Sequence, residues 1–505
     1  MLPVLIVGGG PTGLLLAYSL ARSGVGVRIV DRAAAPGLAS RAMAVQARTL
    51  EFYRQFGFAD EVISHGLKME YLHLRESGEE VATFHLGSFG NNLSPYPFSL
   101  SYPQDEHERF LGEKLRALGV AIDFNTELIG FTQSAECVTA NLRRNDVEET
   151  VEAQFMVGCD GANSTVRKNL GLGFPGGTYE QVFFVADVEA AGACINQDIN
   201  LCLNATEFCA IFPIRTSGLQ RLIGIVPDPL VSVEPLTFEH LQGHIEEVFG
   251  VQIHQVNWFS RYRVHHRVAE AFRRGRVYIC GDAGHVHSPA GGQGMNTGLG
   301  DAVNLAWKLA AVVQKRASAA LLGSYEPERM AFARVLVDST DRAFRLMVGR
   351  DLGSRFFRSA LVPHLLPFAL GFSAARRAVF RTVSQTRIEY RKSPLSEGEA
   401  GEILAGDRLP WVASANNFDA LRTLDWQVHV YGAASARLHG FCTSRPLHLV
   451  VHHWTDDAEK AGLERDAMYL VRPDGYVALA APEQDLGRLT GFLDRWSIKA
   501  RLVPA

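Results

Sequence analysis

An α/β fold is what this sequence predicts: a Rossmann-like nucleotide-binding domain, a β-sheet region inserted into it, and a small separate α/β unit at the C-terminal end. Three observations predict it. An apolar run at residues 4–7 leads into Gly8-Gly9-Gly10-Pro11-Thr12-Gly13 and then into an amphipathic helix. A second glycine-rich loop, GDAGHVHSPAGGQGMNTG from residue 281, again follows a strand and opens a helix. From about Glu397 the pattern changes to short strands, WQVHVYG and LHLVVHHW among them, followed by an amphipathic end helix.

The first loop has the spacing GxGxxG between strand and helix, with Asp31 ending the next strand about 20 residues later. Gly8 allows the tight turn, Gly10 lets the backbone approach a pyrophosphate, and Gly13 lets the helix pack close to the sheet. Pro11 and Thr12 complete a loop whose helix offers unpaired N–H groups and a positive dipole end to phosphates. Asp31 is placed to accept hydrogen bonds from ribose hydroxyls. This motif does not separate NAD from FAD.

The helix after the second loop carries apolar residues at Leu299, Ala302, Val303, Ala306, Leu309, Ala310 and Val313, which predicts one buried stripe. Two histidines, His285 and His287, precede it, but no third ligand stands at a suitable spacing, so no metal is expected. In the tail, Pro473-Asp474-Gly475 predicts a hairpin turn between two strands. Between the two, residues 338–391 are expected to be mostly helical with a solvated arginine-rich face.

Composition narrows the function classes. A chain of 505 residues needs two or three cores, and 47% hydrophobic with 21% charged residues is globular composition. A net charge of −4 without runs of like charge argues against nucleic acid as a partner. Seven cysteines without a CxxC argue against a disulfide framework or zinc cluster and suit a reducing, cytoplasmic setting. The N-terminal apolar run turns at once into glycines, as a buried strand rather than a signal peptide does. The stretch ALVPHLLPFALGFSAA at 360–375 is interrupted by Pro363, His364 and Pro367 and is too short to span a membrane; buried helical packing is expected there.

Together with the first loop, VGCDGANSTVRKNLG at 157–171 and GRVYICGDAGHVHSPAGGQGMNTG at 275–298 resemble the three signatures of the class A flavoprotein monooxygenases, the family of para-hydroxybenzoate hydroxylase and phenol hydroxylase. The resemblance runs through essentially the whole chain. It implies one FAD, shared by both glycine loops. It places Asp160 and Gly161 near the pyrophosphate, with Asp160 as a helix cap in the bland reading. Asp282 falls on the ribityl chain, and Pro289 with the backbone of Gly294, Met295 and Asn296 beside the isoalloxazine. Arg41 in SRAMAVQARTLEF, Gln104 in YPQDEHERFL, Leu128 in NTELIGF, and Arg32 beside Asp31 complete the implied cofactor contacts.

The implied reaction is hydroxylation of an aromatic, phenolic ring by a flavin hydroperoxide, with O2 as oxidant and NADPH or NADH as a transient co-substrate that has no Rossmann unit of its own. Baeyer–Villiger oxygenation, or an FAD-containing protein that binds a ligand without turnover, are the alternatives. Phe212, Pro213, Arg215, Tyr262 and His266 are the substrate candidates; no catalytic residue is identified. Phenol hydroxylase has an acid two residues after the position of Arg41, where this chain has Met43, which favours larger, more acidic fused-ring polyketides over simple phenols. The domains expected are an FAD-binding domain at 1–70, 103–180 and 275–340, a substrate-binding β-sheet domain at 71–102 and 181–274, and a helical connector at 341–396. A thioredoxin-like domain lacking CxxC follows at 397–505, its role packing or homodimerisation.

Overall fold

Two eight-stranded sheets and a smaller four-stranded one organise the chain. The computed structural model describes residues 1–37, 42–76, 78–204, 207–215, 217–349 and 351–500.

In the first sheet Leu2–Val7 lies between two parallel neighbours, Val147–Gly158 and Val27–Val30, with Val277–Ile279 and Ile122–Asp123 parallel beyond them. Val4, Leu5 and Ile6 are fully buried, as a central parallel strand covered on both faces requires. The helices Gln104–Ala117, Pro11–Arg22 and Gly294–Val313 lie side by side, the middle one touching both neighbours. An antiparallel meander, Thr126–Gln133, Val138–Arg144 and Val147–Gly158, extends the sheet.

The second sheet runs Glu79–His85, Tyr71–Glu76, Ile199–Leu203, Phe208–Pro213, Gln220–Ile225, Gly176–Ala191, Gln252–Val268 and His285–Val286 in spatial order. Strand alternation gives it two unlike faces. Phe184, Ala186, Cys209, Ile211 and Leu222 pack against the helix Glu239–Phe249 in a core of their own. Phe183, Phe208 and Ile225 point the other way, into the core shared with the first sheet.

Residues 427–481 form a sheet ordered His448–His452, Gln427–Tyr431, Met468–Val471, Val477–Ala481. Its first pair is parallel and the other two antiparallel, which with the helices Ala436–Ser444 and Leu486–Trp496 gives a thioredoxin-like topology. Trp307, Ala311 and Leu321 of the preceding region belong to the same core as Trp426, Leu438 and Phe492. The Trp307 and Trp426 rings meet edge to face at 5.5 Å.

Two expectations are corrected. The stretch at 360–375 is helical, and Val362 and Leu370 are buried, but Leu365, Phe368 and Phe372 are 54–69% exposed. Val362 and Leu370 pack into the core shared by the two large sheets, and among the described residues nothing buries the three exposed side chains. The Gly294–Val313 helix, expected to bury a single stripe, is buried on its polar side as well: Asp301, Asn304 and Lys308 are each at most 1% exposed.

Candidate cofactor and active site

The two glycine loops meet. Gly8 donates from N to the Val30 carbonyl at 2.8 Å and adopts a φ of +112°. A Cβ there would stand 2.2 Å from the Cys159 carbonyl oxygen, and one at Gly13 would stand 2.0 Å from the Gly8 oxygen. The strand ends and the Pro11–Arg22 helix can approach this closely only without side chains at either position. Thr12 occupies a notch between the loops: a Cβ on Gly281 or Gly298 would lie 2.8 or 2.4 Å from its Oγ1. The N-termini of the Pro11–Arg22 and Gly294–Val313 helices thereby stand next to each other.

Neither N-terminus has a side-chain cap. Leu14 N is bonded to the Gly10 oxygen and Thr297 N to the Gln293 oxygen, so the N–H groups ahead of them fall outside the helical ladders. Among the described residues outside its chain neighbours, no atom lies within 4 Å of a Cβ on Gly10. Two adjacent positive helix ends and an open backbone at Gly10 fit a cofactor with a pyrophosphate and a second, electron-rich end, as FAD has.

At the adenine-side end, Asp31 accepts from Gly9 N at 2.6 Å on one oxygen and from Ala33 N at 2.7 Å on the other. Asp31 and Arg32 line an open cleft with Asn125, Glu127 and Arg143. Gln104 starts its helix, its N donating to the Ala42 oxygen at 3.0 Å and its Nε2 to Glu108 at 2.8 Å. Leu128 is buried opposite Leu142 where the strand register shifts. Arg41 lies outside the described residues.

The Asp160 carboxylate takes Ser164 Oγ at 2.6 Å and Val166 N at 3.1 Å, while Ser164 itself caps the Thr165–Asn169 helix. Asp160 therefore holds the turn through the cap rather than being the cap. Arg167, which sequence reasoning passed over, joins two signatures: it donates to the Ala162 oxygen at 2.7 Å and the Ala283 oxygen at 2.8 Å, with its guanidinium over Phe174. Its only sequence signal is its place one turn beyond a glycine-rich strand end.

Asp282 is exposed in the short turn Gly281–Ala283. The histidines beside it are committed within the protein. His285 Nε2 lies 2.7 Å from Asp301, which also accepts from Gly281 N at 2.9 Å and from Arg329 Nε at 2.6 Å. Burial pushes the Asp301 carboxyl up, but Arg329 and His285 overrule it and hold it below the usual carboxylate range. His287 Nδ1 faces the Ser288 oxygen at 2.7 Å, and burial pulls its pKa down to about 4.

Pro289 opens a short turn that brings Gly292 against Ala44. Asn296 uses all of its side chain: Oδ1 accepts from Gln46 N at 2.9 Å and Thr49 Oγ1 at 2.8 Å, and Nδ2 donates to the Ala44 and Gly292 oxygens, both at 2.8 Å. Asn296 is therefore left with its backbone alone to meet a ligand at this helix end, beside the backbone of Gly294 and Met295.

The inner face of the second sheet carries the aromatic surface. The Phe183 ring stacks on Phe344 at 5.4 Å and lies 6.0 Å from Tyr262 and 6.5 Å from Phe208. By alternation Phe212 shares this face with Phe208, half-buried and opposite Arg221. Arg221 makes two 2.7 Å bonds to the carboxylate of Asp187, so these two charges on the face are paired. Pro213 points to the other side, and its oxygen accepts from Ser101 Oγ at 2.7 Å. Arg215 falls outside the cluster, whereas His266 reaches its edge through Tyr179, whose ring lies 4.9 Å from Phe344. The Arg215 guanidinium donates to the Ser64 and Gly66 oxygens, each at 2.8 Å, at the negative end of the Ala59–His65 helix. The His266 ring packs edge to face on Tyr179 at 4.8 Å. Phe183 and Phe208 went unnoticed in the sequence because aromatic residues at alternate strand positions look like ordinary core, and Phe344 because it sits in the long helix Tyr325–Val348.

Residues 1–340 match the family model described as an FAD binding domain, and residues 404–500 match that of the aromatic-ring hydroxylase C-terminal domain. A 6-methylpretetramide 4-monooxygenase from Streptomyces rimosus is 33% identical, the match covering 97% of this chain and 92% of the relative. Among solved structures, the anhydrotetracycline hydroxylase OxyS from Streptomyces rimosus superposes with a TM-score of 0.79 at 28% identity, covering 99% of each chain. The Diels-Alderase PyrE3 of pyrroindomycin biosynthesis superposes with a TM-score of 0.74 at 28% identity, over 98% of this chain and 99% of its own.

Proposed function

The chain belongs to the class A FAD-dependent aromatic monooxygenases, and from that premise we propose that it hydroxylates a fused-ring phenolic substrate of polyketide type at the expense of NADH or NADPH. The observation that carries the reading is the pair of adjacent helix N-termini without side-chain caps, where the two glycine loops meet.

When bound and reduced, the flavin activates O2 so that one oxygen atom enters the ring and the other leaves as water, with NAD(P)H supplying two electrons. The protein's part is to bind, orient and keep water out. Gly10 and the Pro11–Arg22 helix end take the pyrophosphate, Asp31 the adenosine ribose, and Asp282 the ribityl hydroxyls. The backbone of Gly294–Asn296 stabilises negative charge on the flavin ring through the helix end. Burial pulls the His287 pKa down to about 4, so the helix end and not an imidazolium supplies the positive potential there. Phe212 and Tyr262, half-buried and backed by the buried Phe183 and Phe208 rings, offer flat apolar contact to a polycyclic ring and exclude water from it. With Met43 buried where an acid stands in phenol hydroxylase, a substrate acidic enough to ionise by itself suits the site.

Purified holoprotein incubated with a phenolic panel that includes fused-ring compounds tests this. The expected result is NAD(P)H oxidation stimulated by a fused-ring phenol, with one atom from 18O2 in the product. Similarity to a Diels-Alderase of the same architecture favours a second reading, in which the FAD-loaded site shapes a ligand without redox turnover. Tight ligand binding with no NAD(P)H consumption would replace hydroxylation by that reading, and a ring-expanded lactone would indicate Baeyer–Villiger chemistry.

A further inference from the structure

We propose that Arg472 and Asp474, on a hairpin turn of the C-terminal domain, are positioning residues for the flavin site, holding both flanks of the Gly281 loop through buried hydrogen bonds. The turn joins Met468–Val471 to Val477–Ala481, and Arg472 and Asp474 are 0% and 1% exposed because the turn enters the first domain.

One route runs through Glu328. Arg472 donates to Glu328 Oε1 at 2.8 Å and Oε2 at 3.0 Å, and to Asp474 at 3.0 and 2.6 Å. Glu328 also takes Asn304 Nδ2 and Lys308 Nζ, both at 2.7 Å, from the helix that begins at Gly294. The next residue, Arg329, bonds Asp301 at 2.6 Å and the Thr297 oxygen at 3.0 Å, and Asp301 holds Gly281 N. Arg329 is further braced by Tyr390, whose ring lies 4.3 Å from that of Tyr476 on the hairpin.

The other route runs through Arg48. Its Nη2 donates to the Asp474 oxygen at 2.8 Å and its Nη1 to Glu51 at 2.8 Å. Arg48 sits in the Ala47–Phe56 helix, whose Thr49, with Gln46 just before it, grips Asn296. The same turn is thus fastened to Gly281 at the start of the loop and to Asn296 at its end.

Joining two domains does not require this arrangement. The Trp307–Trp426 core already joins them with apolar contact, and buried ion pairs are seldom more stabilising than apolar side chains of similar volume. What such a network adds is geometry: its bonds form together only in one relative placement of the turn, the Gly294–Val313 helix and the loop. The Gly294–Val313 helix end and the start of the Gly281 loop take their position from that placement.

The inference rests on the reading that the Gly281 loop holds FAD. Its test compares full-length Arg472→Met and Asp474→Asn with wild type and with Arg495→Met, which breaks an exposed pair to Glu397 in the same domain. A double variant, Arg472→Met with Glu328→Gln, removes both charges together and keeps the comparison open if the single change does not fold. FAD affinity from quenching of flavin fluorescence, the flavin absorption band and its midpoint potential are read beside apoprotein melting. The expected result is a loss of FAD affinity of about tenfold or more, with a shifted band and potential, in the Arg472 and Asp474 variants, and wild-type values in Arg495→Met. Folded Arg472 and Asp474 variants with wild-type affinity, spectrum and potential would overturn the positioning role. Wild-type protein that does not bind FAD would overturn the underlying reading instead.

Discussion

Gly8 and Gly10 look alike in the sequence and differ in what surrounds them. Gly8 has a φ of +112° and Cys159 against its Cα; Gly10 has a φ of −73° and open space. Gly8→Ala is therefore expected to destabilise the apoprotein by about 2 kcal/mol or more, through strain added to a clash. Gly10→Ala is expected to change apoprotein stability by less than about 0.5 kcal/mol and still to weaken FAD about tenfold, because only the ligand approaches that position. Melting of apoprotein and holoprotein for both variants checks the pair; equal losses without FAD would contradict it. The glycines that bring the two loops together, Gly8, Gly13 and Gly281, were legible from motif spacing. Arg167 and Asp301 were not, because their partners, Ala283 and Gly281, are distant in sequence and close only after the strands are ordered.

Among the elements, the Phe208–Pro213 strand separates stability from binding by alternation. Ile211 is fully buried against the Glu239–Phe249 helix side, whereas Phe212 is half-buried on the aromatic face. Ile211→Ala is expected to cost about 2–5 kcal/mol in urea unfolding. Phe212→Ala is expected to raise KM about tenfold at little cost in stability; the reverse pattern would show that the faces are assigned the wrong way round. The Gly294–Val313 helix shows where periodicity misleads. Its apolar positions did mark a buried stripe, but burial of Asp301, Asn304 and Lys308 could not be inferred, since charged residues in a helix are ordinarily solvated. Their partners, Arg329 and Glu328, come from a different helix and Arg472 from a different domain.

For the molecule as a whole, that burial ties stability to pH. Burial pushes the Glu328 carboxyl up, but Arg472 and Lys308 overrule it and hold it well below the usual range, as Arg329 does for Asp301. A carboxyl with a lowered folded-state pKa binds fewer protons folded than unfolded, so its stabilisation is present above about pH 4.5 and is lost as pH falls toward the folded value. Acid unfolding of the wild type is accordingly expected to begin below about pH 4.5. Glu328→Gln, less stable at pH 7 by about 3 kcal/mol because Lys308 and Arg472 lose their partner, should show a flatter acid limb; parallel wild-type and variant curves would exclude Glu328 as a source. Lys308, pulled down to about 8 by burial against the pull of Glu328, is in the same balance. The division into a nucleotide-binding part, a sheet and a C-terminal α/β unit was foreseeable from strand and glycine patterns; the depth to which residues 472–475 enter the first part was not, since Pro-Asp-Gly marks a turn whether or not water surrounds it.

The buried turn also limits how such chains can be recombined. A chimera taking residues 1–396 from this protein and a tail from a relative would set a foreign turn against Glu328, Arg48 and Asn304. It would inherit unmatched charges in a place water does not reach, even if each half were sound alone. Exchange that keeps Arg48, Asn304, Lys308, Glu328, Arg472 and Asp474 together as one inherited set avoids that mismatch, so the natural crossover unit is this group of residues and not the domain boundary.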